Sequence, residues 1–229
     1  MSEVSAQRAS WLRDFWRAYF HRRYTILFYT LFLTLVAAPL LSAFEFKGVL
    51  IELFLAANLL AALIPVATVR SRRILFVATV LVWLARPATA WLDHSALSVM
   101  TLGLWTVLAL FGAAGALRFA LDNEPIDAEH LYAALSAYML AGIFFGLFYW
   151  VVEQTEPGSF TAAADFTRMS GFYFSFVTLA TLGYGDIVPR SDVVRGLAIV
   201  EGVGGQLFLA VMVARLVSLY VKAEPKTKS

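Results

Sequence analysis

The sequence predicts an all-α integral membrane fold with six transmembrane helices per chain and a re-entrant helix and loop between the fifth and the sixth. Three observations carry that prediction. Hydrophobic residues make up 60% of the 229 and charged residues 15%, with a mean hydropathy of +0.74, whereas soluble domains are about a quarter charged. The apolar residues gather into six runs near the ~20 residues that cross a bilayer as a helix. The segment 154–192, between the last two runs, is too long for a hairpin and too polar at its start for another crossing. The same figures exclude a disordered chain. A net charge of +2 without a basic, aromatic-interleaved run excludes a nucleic-acid partner. The absence of cysteine removes disulfides and thiolate chemistry.

Residues 1–23 come first, with Trp11, Leu12, Phe15, Trp16, Tyr19 and Phe20 at helical spacing opposite Arg13, Arg17, Arg22 and Arg23. This is the pattern of an amphipathic helix lying in the cytoplasmic membrane interface. The first span, 24–44, is preceded by too many charged and aromatic residues, and is too long, to be a cleaved leader. The second runs 49–69. The third, 74–91, is interrupted by Arg86 and Pro87, and the fourth covers 97–120. Together 24–121 form a four-helix module, joined by a linker, 122–130, to the fifth span, 131–152. The sixth runs 193–221 and leaves a short tail, 222–229. Arginines and lysines cluster before the first span, between the second and third, and near the end. The positive-inside rule then puts both termini in the cytoplasm of a multi-pass cell-membrane protein in contact with lipid.

Within 154–192, a polar stretch turns at Glu156-Pro157-Gly158 and leads into the apolar, aromatic run 168–180, which Thr167 or Ser170 can cap. Thirteen residues are too few to span and read as a re-entrant helix. Thr181-Leu182-Gly183-Tyr184-Gly185-Asp186 follows. Non-helical backbone at membrane depth is tolerated only when buried in protein or lining a water-filled path. Glycines on both sides of Tyr184 open main-chain angles that other residues reach at a cost, so successive carbonyls can turn to one side.

The stretch 181–186 resembles the signature of the tetrameric potassium-channel pore-loop superfamily, in whose filter carbonyl oxygens replace the hydration shell of potassium. Thr-x-Gly-Tyr-Gly-Asp arises by chance in on the order of one chain in ten thousand of this length, and its place between a re-entrant helix and a last apolar helix sets a coincidental turn aside. The resemblance covers about 131–220 and implies a pore domain over 131–221, with pore helix 168–180, filter 181–186 and inner helix 193–221. It implies that the carbonyls of Thr181, Leu182, Gly183 and Tyr184, with Gly185 and the Thr181 hydroxyl, bind potassium. Thr178 supports the filter, Asp186 sits at the outer mouth, and Tyr173 and Phe174 form an aromatic cuff for Tyr184. Leu182 stands where Val or Ile is commoner, and Val177 stands where some members carry a glutamate that pairs with the outer aspartate. One loop per chain implies three further copies, a homotetramer.

In the last span, Gly202, Gly204 and Gly205 weaken a helix by roughly 1 kcal/mol each. The resemblance makes Gly205, with Gly202, a candidate hinge; close packing through small residues is the alternative. At helical spacing Gln206, Leu209, Val213 and Val217 line the path below the filter, and Val217, Tyr220 or Val221 narrow it into a constriction that gates by dewetting. Glu201 lies within an apolar run and needs a partner, read as a hydrogen bond to the pore helix or filter support. Glu153 and Arg168 are read as solvated.

The fourth span carries only Arg118, against the repeated arginines of a voltage sensor. The short tail leads us to expect no cytoplasmic ligand-binding domain. Glu45, Glu52 and Asn58 form no readable constellation. No nucleophile, metal or acid-base cluster points to an enzyme, and no cofactor is implied beyond potassium as permeant ion. The function expected is passive, potassium-selective conduction. The alternatives are a non-conducting or regulatory scaffold subunit and a weakly selective cation channel.

Overall fold

The computed structural model describes residues 19, 21–41, 47–63, 77, 79–81, 95–122, 127–162 and 165–223. Its elements are α1 (Arg23–Leu41), α2 (Lys47–Leu63), α3 (Ser95–Ala120), α4 (Ala128–Thr155), β1 (Phe160–Ala162), α5 (Arg168–Leu179), β2 (Ile187–Pro189) and α6 (Asp192–Ala223). Among the described residues three helical stretches are long and apolar enough to cross a membrane: Gly103–Ala120, Ala128–Thr155 and Asp192–Arg215. The first two expected spans contain shorter apolar stretches, Arg23–Ala37 and Leu53–Leu63. The third expected span falls almost wholly outside the described residues, as do most of the interfacial helix expected over 1–23 and most of the tail expected over 222–229.

Local chemistry sets the helix starts that matter for the site. Asp127 caps α4 by accepting from the amides of Glu129 and His130, while the His130 ring reaches back to the Asp127 amide. Thr167 caps α5, and Ser170 completes the same reciprocal arrangement, so both residues proposed as caps take part.

Helix α4 is the hub. The buried Tyr24, Leu27 and Leu31 of α1 and the small Ala113, Ala116 and Ala120 of α3 pack against its Ala133, Ala137 and Leu140. Farther along, Leu55 and Leu59 of α2 and Trp105 and Leu108 of α3 meet Leu147 of α4 and Phe172 of α5. Two polar contacts pin this assembly. The Glu129 carboxylate accepts the amides of Tyr24 and Thr25 at 2.9 and 3.2 Å and the Thr25 hydroxyl, placing an anion at the positive end of α1. Asn58, buried in α2, donates through Nδ2 to the Thr34 hydroxyl of α1 at 2.6 Å. The sequence presents these groups as isolated; packing brings them together.

β1 and β2 form a two-stranded antiparallel ribbon, pairing Phe160 with Pro189, Thr161 with Val188 and Ala162 with Ile187. Three residues are too short to show strand alternation, so the ribbon is absent from the sequence reading. It ties the approach to α5 to the exit from 181–186. Glu153 helps close it, accepting the amides of Gly158 at 2.8 Å and Phe160 at 3.1 Å. Arg168 lies over the Trp150 ring at 5.6 Å. Both residues were expected to be simply solvated, and both hold structure instead.

Candidate ion-conduction site

Helix α5 is wedged against α4, and glycines on both helices make the approach possible. A Cβ at Gly146 would lie 2.9 Å from the Phe172 Cα, and one at Gly171 would strike the Gly146 carbonyl oxygen. Gly142 and Gly146 form a small-xxx-small pair on α4, the spacing that lets apolar helices close up. That signal was present in the sequence and was missed.

The end of α5 directs the chain that follows. The Val177 carbonyl accepts the amides of Leu182 at 2.9 Å and Gly183 at 3.4 Å, and the Thr178 carbonyl accepts the Thr181 amide at 3.0 Å. In a trans peptide the C=O lies opposite the N–H. The carbonyls of Thr181 and Leu182 therefore face away from α5. Positive φ recurs at Thr181 (55°), Gly183 (55°) and Gly185 (77°). The glycines were the expected positions. Thr181 was not, since a β-branched residue there is strained and nothing in its type announces it. Every residue from 181 to 186 is exposed on the single chain, with Leu182 at 56% and Tyr184 at 66%.

Side chains behind this loop differ from the expected cuff. Tyr173 donates its hydroxyl to Asp186 at 2.8 Å, supplying the partner that Val177 cannot. Phe174 is turned into the core, edge-on to Tyr149 at 5.0 Å and Phe160 at 5.2 Å, not out toward Tyr184. Thr178 is half-buried, 3.8 Å through Cγ2 from where a Gly202 Cβ would stand. Tyr138 of α4 donates to the Leu179 carbonyl at 2.9 Å and stacks on Phe208 of α6, so three helices meet at the end of α5.

Glu201 is 1% exposed and lies between all three helices. The Tyr149 hydroxyl of α4 donates to its Oε2 at 2.7 Å, and Ser175 of α5 bonds its Oε1 while also reaching the Gly142 carbonyl at 2.8 Å. The pore-helix hydrogen bond expected for Glu201 is present. Its partners escaped the sequence reading, although a serine in the middle of an aromatic helix was the available hint.

On α6, Gly205 abuts α5: a Cβ there would come within 2.8 Å of Leu179 Cδ2, the close packing that was the alternative to a hinge. Gln206, Leu209, Val213 and Val217 are exposed along α6, and Leu209 and Val213 also border a groove against α4. Tyr220 lies within α6, with its side chain outside the described residues.

Residues 133–222 match the family model described as an ion channel. The chain is 33% identical over 89 residues to the inward rectifier potassium channel Kirbac3.1 of Paramagnetospirillum magnetotacticum, covering 37% of this chain and 28% of that one. It is 33% identical over 93 residues to two-pore potassium channel 3 of Arabidopsis thaliana, covering 38% of this chain and 18% of that one. With two-pore potassium channel 4 of the same plant the identity is 46% over 50 residues, 22% of this chain and 18% of the relative. The chain thus spans less than a third of the length of these relatives. No solved structure matches it at comparable significance. The fold, the loop and these similarities define an ion-channel pore segment in a membrane protein. Residues 133–222 thus resemble the pore domain of the potassium-channel pore-loop superfamily.

Proposed function

We propose that the chain is the subunit of a homotetrameric channel that conducts potassium passively and selectively across a cell membrane. The observation that carries this reading is the loop 181–185, in which the Leu182 and Gly183 amides are held on Val177, the carbonyls of Thr181 and Leu182 face away from α5, and φ recurs positive at 181, 183 and 185. Four such loops around an axis supply rings of oxygen, from Thr181, Leu182, Gly183 and Tyr184, that replace water around a dehydrated monovalent cation. Leu182 and Tyr184, exposed on one chain, then pack against neighbouring copies. The carboxyl end of α5 presents the negative pole of its dipole to the cation below the filter. Gln206, Leu209, Val213 and Val217 line the path beyond it, Val217 and Tyr220 narrow it, and bending at Gly202 and Gly205 widens it. Six spans with both termini in the cytoplasm complete the arrangement.

Reconstitution of the purified chain in liposomes tests the proposal. Potassium flux blocked by barium, with sodium flux much lower, is expected. Equal sodium and potassium flux would replace it with a weakly selective cation channel. Intact tetramers without flux would replace it with a scaffold.

A further inference from the structure

Glu201 is covered within its own chain, at 1% exposure, and stands roughly 14 Å along α6 from the helix start at Asp192. Its hydrogen-bond partners are two neutral hydroxyls, Tyr149 on α4 and Ser175 on α5. The nearest other titratable and charged groups are engaged elsewhere. On α4, Tyr138 donates to the Leu179 carbonyl, and Glu153 accepts the Gly158 and Phe160 amides. On α5, Arg168 lies over Trp150 and Tyr173 donates to Asp186. On α6, Asp192 and Arg195 pair with each other at 3.6 Å, and Arg215 reaches the Asp122 carbonyl at the far end. Among the described residues no ion pair reaches Glu201. An ionised carboxyl taken out of water without a cation is costly.

Counting protons separates the two forms of this carboxyl. Ser175 Oγ lies against two oxygens, Glu201 Oε1 and, at 2.8 Å, the Gly142 carbonyl, and a hydroxyl has one proton to give. With a carboxylate, three acceptor oxygens share the two protons of Tyr149 and Ser175, and one oxygen-to-oxygen contact holds none. With the neutral acid a directed chain closes: Tyr149 donates to Oε2, the Oε1 hydroxyl donates to Ser175 Oγ, and Ser175 donates to the Gly142 carbonyl. Every contact then carries one proton. The last link bears on the filter. Helix α5 lies so close to α4 here that a Cβ at Gly142 would come within 2.7 Å of Phe176 Cζ, and Val177, two residues after Ser175, holds the Leu182 and Gly183 amides.

We propose that Glu201 is held as a neutral acid and is a pH switch on the brace behind 181–186; its effect on conduction rests on the channel reading above. Loss of the Oε1 proton turns the Ser175 proton from Gly142 to Glu201 and leaves the Gly142 carbonyl facing a lone pair. The contact of α5 with α4 then weakens, and with it the support of the loop.

Infrared difference spectroscopy of the full chain in liposomes tests the protonation directly. At neutral pH a carboxylic-acid C=O band is expected in the wild type and not in Glu201→Gln. Tyr149→Phe, which removes the donor at Oε2, should move that band to higher wavenumber, an assignment that does not depend on Glu201→Gln folding. Raising the pH into the alkaline range should bleach the band, lower the thermal midpoint and cut potassium flux severalfold over one interval. Glu201→Gln presents one acceptor and one donor, as the neutral acid does, and should flatten both profiles. Tyr173 and Asp186 are the same in both proteins and drop out of the difference. A wild-type spectrum without a Glu201 acid band at neutral pH would overturn the neutral acid. Midpoint profiles that coincide in wild type and Glu201→Gln while the band bleaches would overturn the switch. Should flux be absent at every pH, the band and the midpoint still decide the proposal, and that failure falls on the conduction reading alone.

Discussion

Helices α4 and α6 flank α5 and are similarly apolar, yet their surroundings differ. Half of the α4 span is buried by the rest of the chain, against 17% for the span of α6. Helix α4 finds α1, α3 and α5 within its own chain, and even its glycines are matched to Phe172 and Gly171. Helix α6 touches α5 at Gly205 and α4 through Glu201 and Phe208, then leaves Ile199, Val200, Val203, Leu207 and Val211 exposed. One helix is covered by other helices of its own chain. The other leaves an apolar face that its own chain does not cover; in the proposed tetramer, neighbouring copies would cover it.

The strongest way to break that picture is at the loop where the copies would converge. Gly183→Ala places a Cβ at φ 55°, where L side chains are strained. Potassium flux should fall by more than 100-fold while tetramers persist in native mass spectrometry. Next, Leu207→Asp puts a charge on the exposed face of α6 and should shift native mass spectra from tetramer to monomer. If assembly survives unchanged, that face contacts lipid and the contrast between the helices loses its meaning.

Glu201 joins the two helices through α5. Truncation in Glu201→Ala strands the Tyr149 hydroxyl, an unmade buried bond costing about 1–3 kcal/mol, and leaves Ser175 only the Gly142 carbonyl; Glu201→Gln keeps an acceptor oxygen and should lose less. Thermal denaturation of the detergent-solubilised protein orders the two variants, and equal midpoints would sink the bridging role. Gly205→Ala pushes against Leu179 and should alter open probability in bilayer recordings severalfold with the potassium-to-sodium ratio unchanged. A changed ratio would show that Gly205 positions the filter and is no hinge.

The smallest effect belongs to the cap of α4. Its hydrogen bond with His130, chiefly, holds the Asp127 carboxyl below its ordinary value near 3.8. The folded group thus releases its proton more readily than the unfolded one. Its stabilisation is fully present above that ordinary value and is lost as pH falls through the lowered one. Amide exchange at 128–131 should quicken severalfold in that acid window and be quick at all pH values in Asp127→Ala, which has no side-chain acceptor. Flux at neutral pH should hardly change, because α4 remains fastened along its length.

Much of the pore segment was legible because its signals are local. Periodic apolar runs announced the long helices, Thr167 and Ser170 announced the start of α5, and Gly183 and Gly185 announced the reversed backbone. What escaped depends on residues far apart in sequence. Tyr173 reaches Asp186 across a turn, Glu129 caps a helix that starts about a hundred residues earlier, and Glu201 draws together Tyr149 and Ser175. Phe174 was assigned to the outer cuff because residue type says nothing of which side of α5 faces the core.

By itself the sequence determined where helices form, that a short non-helical loop lies between two of them, and which glycines permit its shape, since each follows from the preferences of residues within a turn or two. Only tertiary structure decided which carbonyls point outward, which partner satisfies each polar group, and which long helix is left uncovered. Those outcomes depend on how close two backbones approach, and that distance is set jointly by residues that no local pattern connects.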